Sequence, residues 1–376
     1  MTVNFDNSAT TFPKPPEVRL AVEKAIVRYG SSGRGSHPIA VRGSELIYSA
    51  RETIANFLGA EPENVVLTAN CTHALNIAIQ GIAKQGGHVI ISQLEHNSVL
   101  RPVYALAKAG KIKYSIATVT EKKSETLENF AKLIRSDTKA IICTIASNVT
   151  GQILPWKEIG ALCQEKNICF IADGAQACGL LPINLKTDNI NFLCTAGHKA
   201  LYGITGTGLL ISDGKFKLPP LMHGGSGSMS NLPEMPDFLP DSLEAGTLNI
   251  IGAASLKAGI AFVQKKGLQN IFKSETALCE IFCQKLAKNP DIIIYRNPEA
   301  NYVPIVSFNL KNRPAEEIAL ELGKKGFCLR AGLHCAPLAH YFMKTTEIYQ
   351  GTVRFAPSVF SNIQDTIRLT DSILNL

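Results

Sequence analysis

Charge is scarce in this chain. Asp, Glu, Lys and Arg make up 18% of its 376 residues, against about a quarter in an ordinary soluble protein. Apolar residues reach 45%, enough for a large core, which excludes a disordered or fibrous chain. Long hydrophobic runs are missing too: no uncharged apolar stretch approaches the roughly 18 residues of a membrane span. The opening MTVNFDNSATTFPKP has no basic segment followed by an apolar block, so no secretory signal is expected. Nor is there a dense basic run. Lys+Arg 38 against Asp+Glu 31 leave a net charge of +7 spread along the chain, which argues against a nucleic-acid footprint and for anionic small molecules. The ten cysteines show no CxxC spacing and form no Cys/His quartet. A disulfide scaffold and a metal site are therefore not expected, and buried free thiols in a reducing, cytoplasmic setting are.

What is present is alternation. Apolar runs at 65–68, 88–92, 113–118, 140–147, 168–174, 191–197 and 207–212 read as strands. Helical patterns follow Cys71 (Leu75, Ile79 and Ile82 on one face) and lie near 98–109, 126–135 and 155–166. Strands alternating with helices imply an α/β fold with a mostly parallel, helix-covered sheet. Beyond 250 the sequence GAASLKAGIAFVQKKG reads as a long connecting helix, followed by strands at 304–310 and 351–357. At about 150 residues per domain, this suggests a second, smaller α/β domain. The Gly/Pro/Ser/Met-rich stretch between 213 and 248 reads as a linker or a functional loop.

Ligands of such sheets collect at the carboxyl ends of the strands, and four polar clusters sit there. Asn70-Cys71-Thr72-His73 opens a helix; it suits a phosphate or is an ordinary helix cap. Asp173 ends a buried strand and needs a partner, either a ring N–H, a lysine or a backbone amide. His198-Lys199 offers an amine with a lowered pKa or a plain strand-end lysine. Glu95-His96-Asn97 offers an acid–base imidazole or a helix-start residue. Together they describe a site for pyridoxal 5'-phosphate, whose ring is an electron sink, whose nitrogen needs an acid and whose aldehyde needs a lysine.

The ordered motifs FDNSATT (5–11), TANCTHALN (68–76), EHNSVL (95–100), SNVTGQILP (147–155), ADGAQ (172–176), TAGHKALYGITGTG (195–208), EAGTLN (244–249) and RAGLHCA (330–336) resemble the aminotransferase class V cysteine desulfurases. RAGLHCA is similar to the branch that also contains selenocysteine lyases. The resemblance runs from Phe5 to about Arg354 and implies the fold type I architecture of pyridoxal-phosphate enzymes. Residues 1–15 would then pack with the small domain, 16–250 form the large cofactor-binding domain, and 251–376 form the small C-terminal domain carrying Cys335 and Arg354.

The resemblance also implies roles. Lys199 holds the cofactor as a Schiff base, and His198 helps place its phosphate. Asp173 pairs with the ring nitrogen, Gln176 with the ring hydroxyl, and His96 stacks on the ring. Cys71 and Thr72 bind the phosphate, and Thr247 reaches the phosphate of the neighbouring subunit of a homodimer. Asn148 lies near the substrate or ring hydroxyl. Arg354 takes the substrate carboxylate, for which a bidentate guanidinium is suited. Cys335, near His334 and Arg330 in a basic setting, is the sulfur-accepting thiol, whereas Cys328, on an apolar run, is expected to be packed. The implied reaction converts L-cysteine to L-alanine. Lys199 removes the α proton and Cys335 takes the sulfur as a persulfide, for delivery to an acceptor in iron–sulfur cluster or other cofactor assembly. Selenocysteine lyase and cysteine/cystine C–S lyase activities are the alternatives on the same scaffold.

Overall fold

The computed structural model describes residues 2–33 and 35–376. The chain opens with a short strand, β1 (Val3–Asn4), and two helices, α1 (Pro16–Arg28) and α2 (Pro38–Leu58). Each helix has proline in its first turn, where a missing N–H costs nothing. Then follow β2 (Val65–Thr68), α3 (Cys71–Ala83), β3 (His88–Ser92), α4 (Asn97–Lys108), β4 (Lys113–Ala117), α5 (Lys123–Lys132), β5 (Thr138–Thr144), α6 (Trp156–Lys166), β6 (Cys169–Asp173), β7 (Phe192–Ala196) and β8 (Gly208–Ser212). Strands β2 to β8 form a seven-stranded sheet in the order β2-β8-β7-β6-β5-β3-β4. All its pairings are parallel except those of β8, which runs antiparallel to both β2 and β7.

Both faces of this sheet are covered. Along β5, Ile141 and Cys143 enter one apolar cluster while Ala140 and Ile142 enter the other, the period-two alternation of a strand buried on both sides. Each buried Ile or Leu contributes about 1.5–3 kcal/mol from apolar burial, so the strand ends are held on a stiff platform. Gly208, at the start of β8, is required by close approach: a Cβ there would lie 2.3 Å from the Asn70 carbonyl carbon. The loop that opens α3 thus rests directly on the backbone of β8.

The C-terminal part begins with α7 (Ile250–Lys266) and α8 (Leu268–Leu286), the expected long helix turning at Gly267. It continues with β9 (Ile292–Ile294), β10 (Val306–Leu310), α9 (Ala315–Lys324), β11 (Phe327–Cys328), β12 (Arg330–Gly332), α10 (Pro337–Phe342), α11 (Thr346–Tyr349), β13 (Thr352–Phe355) and α12 (Ile363–Leu374). Its four-stranded antiparallel sheet has the order β12-β13-β10-β9. In its core Phe282 stacks on Phe355 and meets Phe308 edge-on, and Phe5 from the N-terminus packs against Phe355. That contact is extended by β1, which pairs in parallel with β11. Among the described residues no helix is long and apolar enough to cross a membrane, and no His/Cys/Asp/Glu group could hold a metal ion.

Seven of the ten cysteines are buried and none is disulfide-bonded. Cys328 corrects the sequence reading: it is exposed. It lies in an edge strand, where the alternation that buries Phe327 turns Cys328 outward.

Candidate active site

A cavity of about 210 Å³ opens where the carboxyl ends of the parallel strands meet the turn that follows β12. Cys71, Thr72, His96, Asn148, Asp173, Gln176, His198, Lys199, Cys335 and Arg354 all line it. Thr247 does not. It is exposed, on the irregular stretch before α7.

On the large-sheet side, Asp173 ends β6, nearly fully buried. Its Oδ1 accepts the Ala175 N–H at 2.9 Å and faces the Cys71 Sγ at 3.5 Å. Lys199 follows β7 on a loop whose sharp return is closed by hydrogen bonds from Gly203 N to Gly197 O and Tyr202 N to Lys199 O. Burial lowers the Lys199 Nζ pKa from its ordinary value; Asp173 pulls against this, and Arg354 and Arg330 add to it. His96 caps α4: its Nδ1 accepts the Ser98 N–H at 3.0 Å and contacts the Ser98 hydroxyl at 2.8 Å. Burial brings its pKa down to about 4, so at neutral pH the ring is uncharged, with its proton on Nε2 by assignment from these bonds.

At the other end of the cavity, Asn70 caps α3 by accepting the His73 N–H at 2.9 Å. Cys71 and Thr72 therefore supply the opening amides of a helix, a ready anion seat. His198 stands beside it with its pKa brought down to about 4 by burial, then by Lys199 and Lys14. Its Nδ1 is buried without a hydrogen-bond partner among the described residues. The helix-cap readings of Asn70 and His96 hold locally, and both caps also place a neighbour in the cavity.

The opposite wall comes from the C-terminal sheet. Arg354, on β13, is 2% exposed. It donates from Nη1 to the Asn148 carbonyl at 2.9 Å and from Nη2 to Asp6 Oδ1 at 3.0 Å. Cys335 is exposed at the cavity mouth and also borders a groove along α4. It sits on a turn in which His334 (φ 47°) and Cys335 (φ 58°) are both left-handed. The turn is tied down by Asn148 Nδ2 donating to the His334 carbonyl at 2.6 Å and Asn97 N donating to the Cys335 carbonyl at 2.7 Å. The basic setting expected around this thiol has one source fewer than its sequence suggested. Burial, reinforced by Arg354, holds His334 well below its ordinary pKa, and its Nε2 is engaged with Thr352. Arg330 and Arg354, which line the cavity with Cys335, are the guanidinium charges that remain.

Three contributions were not assigned a role from the sequence. Ser8 and Ala9 line the cavity although more than 180 residues precede Lys199 in the chain; only the motif FDNSATT marks them. Glu95 is fully buried, its Oε1 accepting from Ser92 Oγ at 2.5 Å and Thr144 N at 2.9 Å. Burial pushes its carboxyl up to about 8, so it is a neutral acid joining the His96 turn to the end of β5. Glu244 pairs through both oxygens with buried Arg51 at 2.6 and 2.9 Å. It thereby fixes the stretch that carries Thr247.

The aminotransferase class-V family model matches residues 3–369. A protein of Methanothermobacter thermautotrophicus described as a probable cysteine desulfurase is 30% identical, covering 98% of this chain and 93% of its own. One of Pyrococcus abyssi with the same description is 30% identical, covering 96% and 91%. The apo structure of the cysteine desulfurase from Thermococcus onnurineus superposes with a TM-score of 0.91 at 26% identity, over 100% of this chain and 95% of that one. With the motifs in order and the cavity assembled from them, the chain belongs to the aminotransferase class-V family.

Proposed function

We propose that this protein is a pyridoxal-phosphate-dependent cysteine desulfurase that moves sulfur from L-cysteine to Cys335. One observation carries the reading: a half-buried lysine, Lys199, and an exposed thiol, Cys335, face one cavity from two separate sheets. The residues present fit the cofactor. The first amides of α3 and the unpartnered His198 Nδ1 suit its phosphate, Asp173 its ring nitrogen, Gln176 its hydroxyl and neutral His96 its face. When bound, pyridoxal phosphate supplies an electron-poor ring that stabilises negative charge on the substrate's α carbon.

The chain's own residues do the rest. Arg354 holds the α-carboxylate by charge-assisted hydrogen bonds. Lys199, its pKa lowered by burial, accepts the α proton at Nζ. The Cys335 thiolate attacks the substrate Sγ and an S–S bond forms. The Cβ–Sγ bond breaks with its electron pair left on carbon, which takes up protons and departs as L-alanine. Asn148, bonded to the backbone of the Cys335 turn and to Arg354, keeps the carboxylate seat and the thiol in register.

The same reading includes a division into a large unit, 16–250, and a small one, 251–376, with 1–15 attached to the latter. It includes a homodimer in which the exposed Thr247 serves the neighbouring cavity, a sulfur-accepting partner protein and a cytoplasmic location, which suits ten free thiols. The test is to incubate the holoenzyme with L-cysteine and quantify alanine, sulfide and protein-bound persulfide together. Equal alanine and sulfur, with the first sulfur on Cys335, is the expected result. Undiminished sulfide release from Cys335→Ala would overturn it.

A further inference from the structure

The first residues of the chain grip both walls of the cavity. After β1, Phe5 N donates to the Cys328 carbonyl at 2.9 Å and Asn7 N to the Ala356 carbonyl at 3.2 Å, which fixes this segment to the C-terminal sheet. Between them, Asp6 accepts from Arg354 Nη2 at 3.0 Å. The segment then crosses the cavity: Ser8 O accepts from Gln176 Nε2 at 3.1 Å, and Ser8 and Ala9 line the space. It ends on the lysine loop, where four donors converge on the His198 carbonyl. These are Thr10 Oγ1 at 3.1 Å, Thr11 N and Oγ1 each at 3.2 Å, and Lys14 Nζ at 2.7 Å. Thr11 Oγ1 also reaches the Lys199 carbonyl at 3.0 Å.

Asp6 itself does not line the cavity, whereas Arg354 does. The carboxylate therefore holds the guanidinium from outside. Arg354 commits Nη2 to Asp6 and Nη1 to the Asn148 carbonyl. Its Nε is buried without a partner among the described residues. Each Nη keeps a second N–H, so the fork retains donors for an anion while two outer bonds set its plane.

We propose that residues 6–14 are a strap that sets Arg354 against Lys199, with Asp6 as the positioning residue for Arg354. An α-amino acid carries its carboxylate and its amine on one carbon. A site that binds both must hold guanidinium and lysine at one separation, yet here they lie on different sheets. The strap is bonded to both, so it makes that separation a property of a short piece of chain rather than of the interface between two units. This inference rests on the reading of Arg354 as the carboxylate seat.

The test is calorimetric titration of the holoenzyme with L-alanine, the product that lacks the reacting thiol. It uses Asp6→Ala, Asp6→Asn, Arg354→Ala and the double variant Asp6→Ala/Arg354→Ala, with KM and kcat for L-cysteine measured alongside. Asp6→Ala is expected to raise the Kd for L-alanine and the KM on the order of tenfold, with a smaller change in kcat. Asp6→Asn, which keeps an accepting oxygen, recovers part of the loss and serves as the variant of record if Asp6→Ala does not fold. Once Arg354 is alanine, Asp6→Ala is expected to add nothing. An equal loss with and without Arg354 overturns the positioning role, as does no loss at all. If Arg354→Ala itself binds L-alanine normally, the carboxylate reading fails first, and the strap inference falls with it.

Discussion

Lys199 and Cys335 face one cavity from surfaces built in opposite ways. Lys199 follows a strand whose five residues are all buried, on a loop held by donors from the N-terminal strap. Cys335 is exposed on a turn of two consecutive left-handed non-glycine residues, a conformation that costs of order 1–3 kcal/mol per residue. The turn persists because Asn148 and Asn97 pin its carbonyls. The difference suits the proposed roles. An amine proposed to move one proton back and forth is served by a fixed position where burial lowers its pKa. A thiol proposed to hand sulfur to another molecule is served by being reachable from outside.

That contrast can be broken in graded ways. Lys199→Ala should have the largest effect: turnover of L-cysteine lower by at least about 10³-fold, because the group that moves the proton is gone. The yellow absorbance of lysine-bound cofactor should disappear with it. Cys335→Ala should lower sulfide release by about 10²-fold while leaving the cofactor spectrum intact, since among the described residues no hydrogen bond ties the Cys335 side chain to a residue proposed to hold the cofactor. A variant that lost its spectrum as well would show that the thiol helps to hold the cofactor. Arg354→Lys keeps the charge but loses the planar fork; KM for L-cysteine should rise about tenfold, with kcat changed less.

The smallest effect concerns the stiff side alone. Glu95, with its carboxyl pushed up to about 8 by burial, stays protonated in the native state at pH values where the unfolded chain has ionised it. The native state then binds more protons, so stability falls as pH rises from about 4.5 toward 8 and levels off above that. Glu95→Gln should remove part of this slope, up to about 1.4 kcal/mol per pH unit, in urea unfolding measured from pH 5 to 8. Buried Glu275, with a carboxyl likewise near 8 from burial, should leave a residual slope. An unchanged slope in Glu95→Gln would mean that the carboxyl is ionised in the native state.

Much of the large-sheet wall was legible because its signals are local. A polar residue at the end of a buried strand marks Asp173, a lysine just past one marks Lys199, and a cap residue before an apolar helix marks Asn70 and Cys71. Strand positions could be read from apolar runs, but the antiparallel direction of β8 could not, because a fully buried strand carries the same pattern in either direction. The apolar run around Cys328 suggested burial; membership of an edge strand exposed it instead. His334 read as a charge beside the thiol until its burial and its bonds to Thr352 showed a neutral ring. Asp6 and Glu244 act through partners 348 and 193 residues away in the chain, distances over which no spacing rule operates.

By itself the amino-acid order determined which strands and helices form and which side chains end them, since apolar periodicity, caps and turn residues act over a few positions. It also held the family's motifs in register from Phe5 to Arg354. Only the tertiary structure decided which of those ends share a cavity, which charges survive burial and how an N-terminal segment comes to hold an arginine of the last strand. Those outcomes depend on desolvation and on contacts between distant residues, and neither exists until the chain is folded.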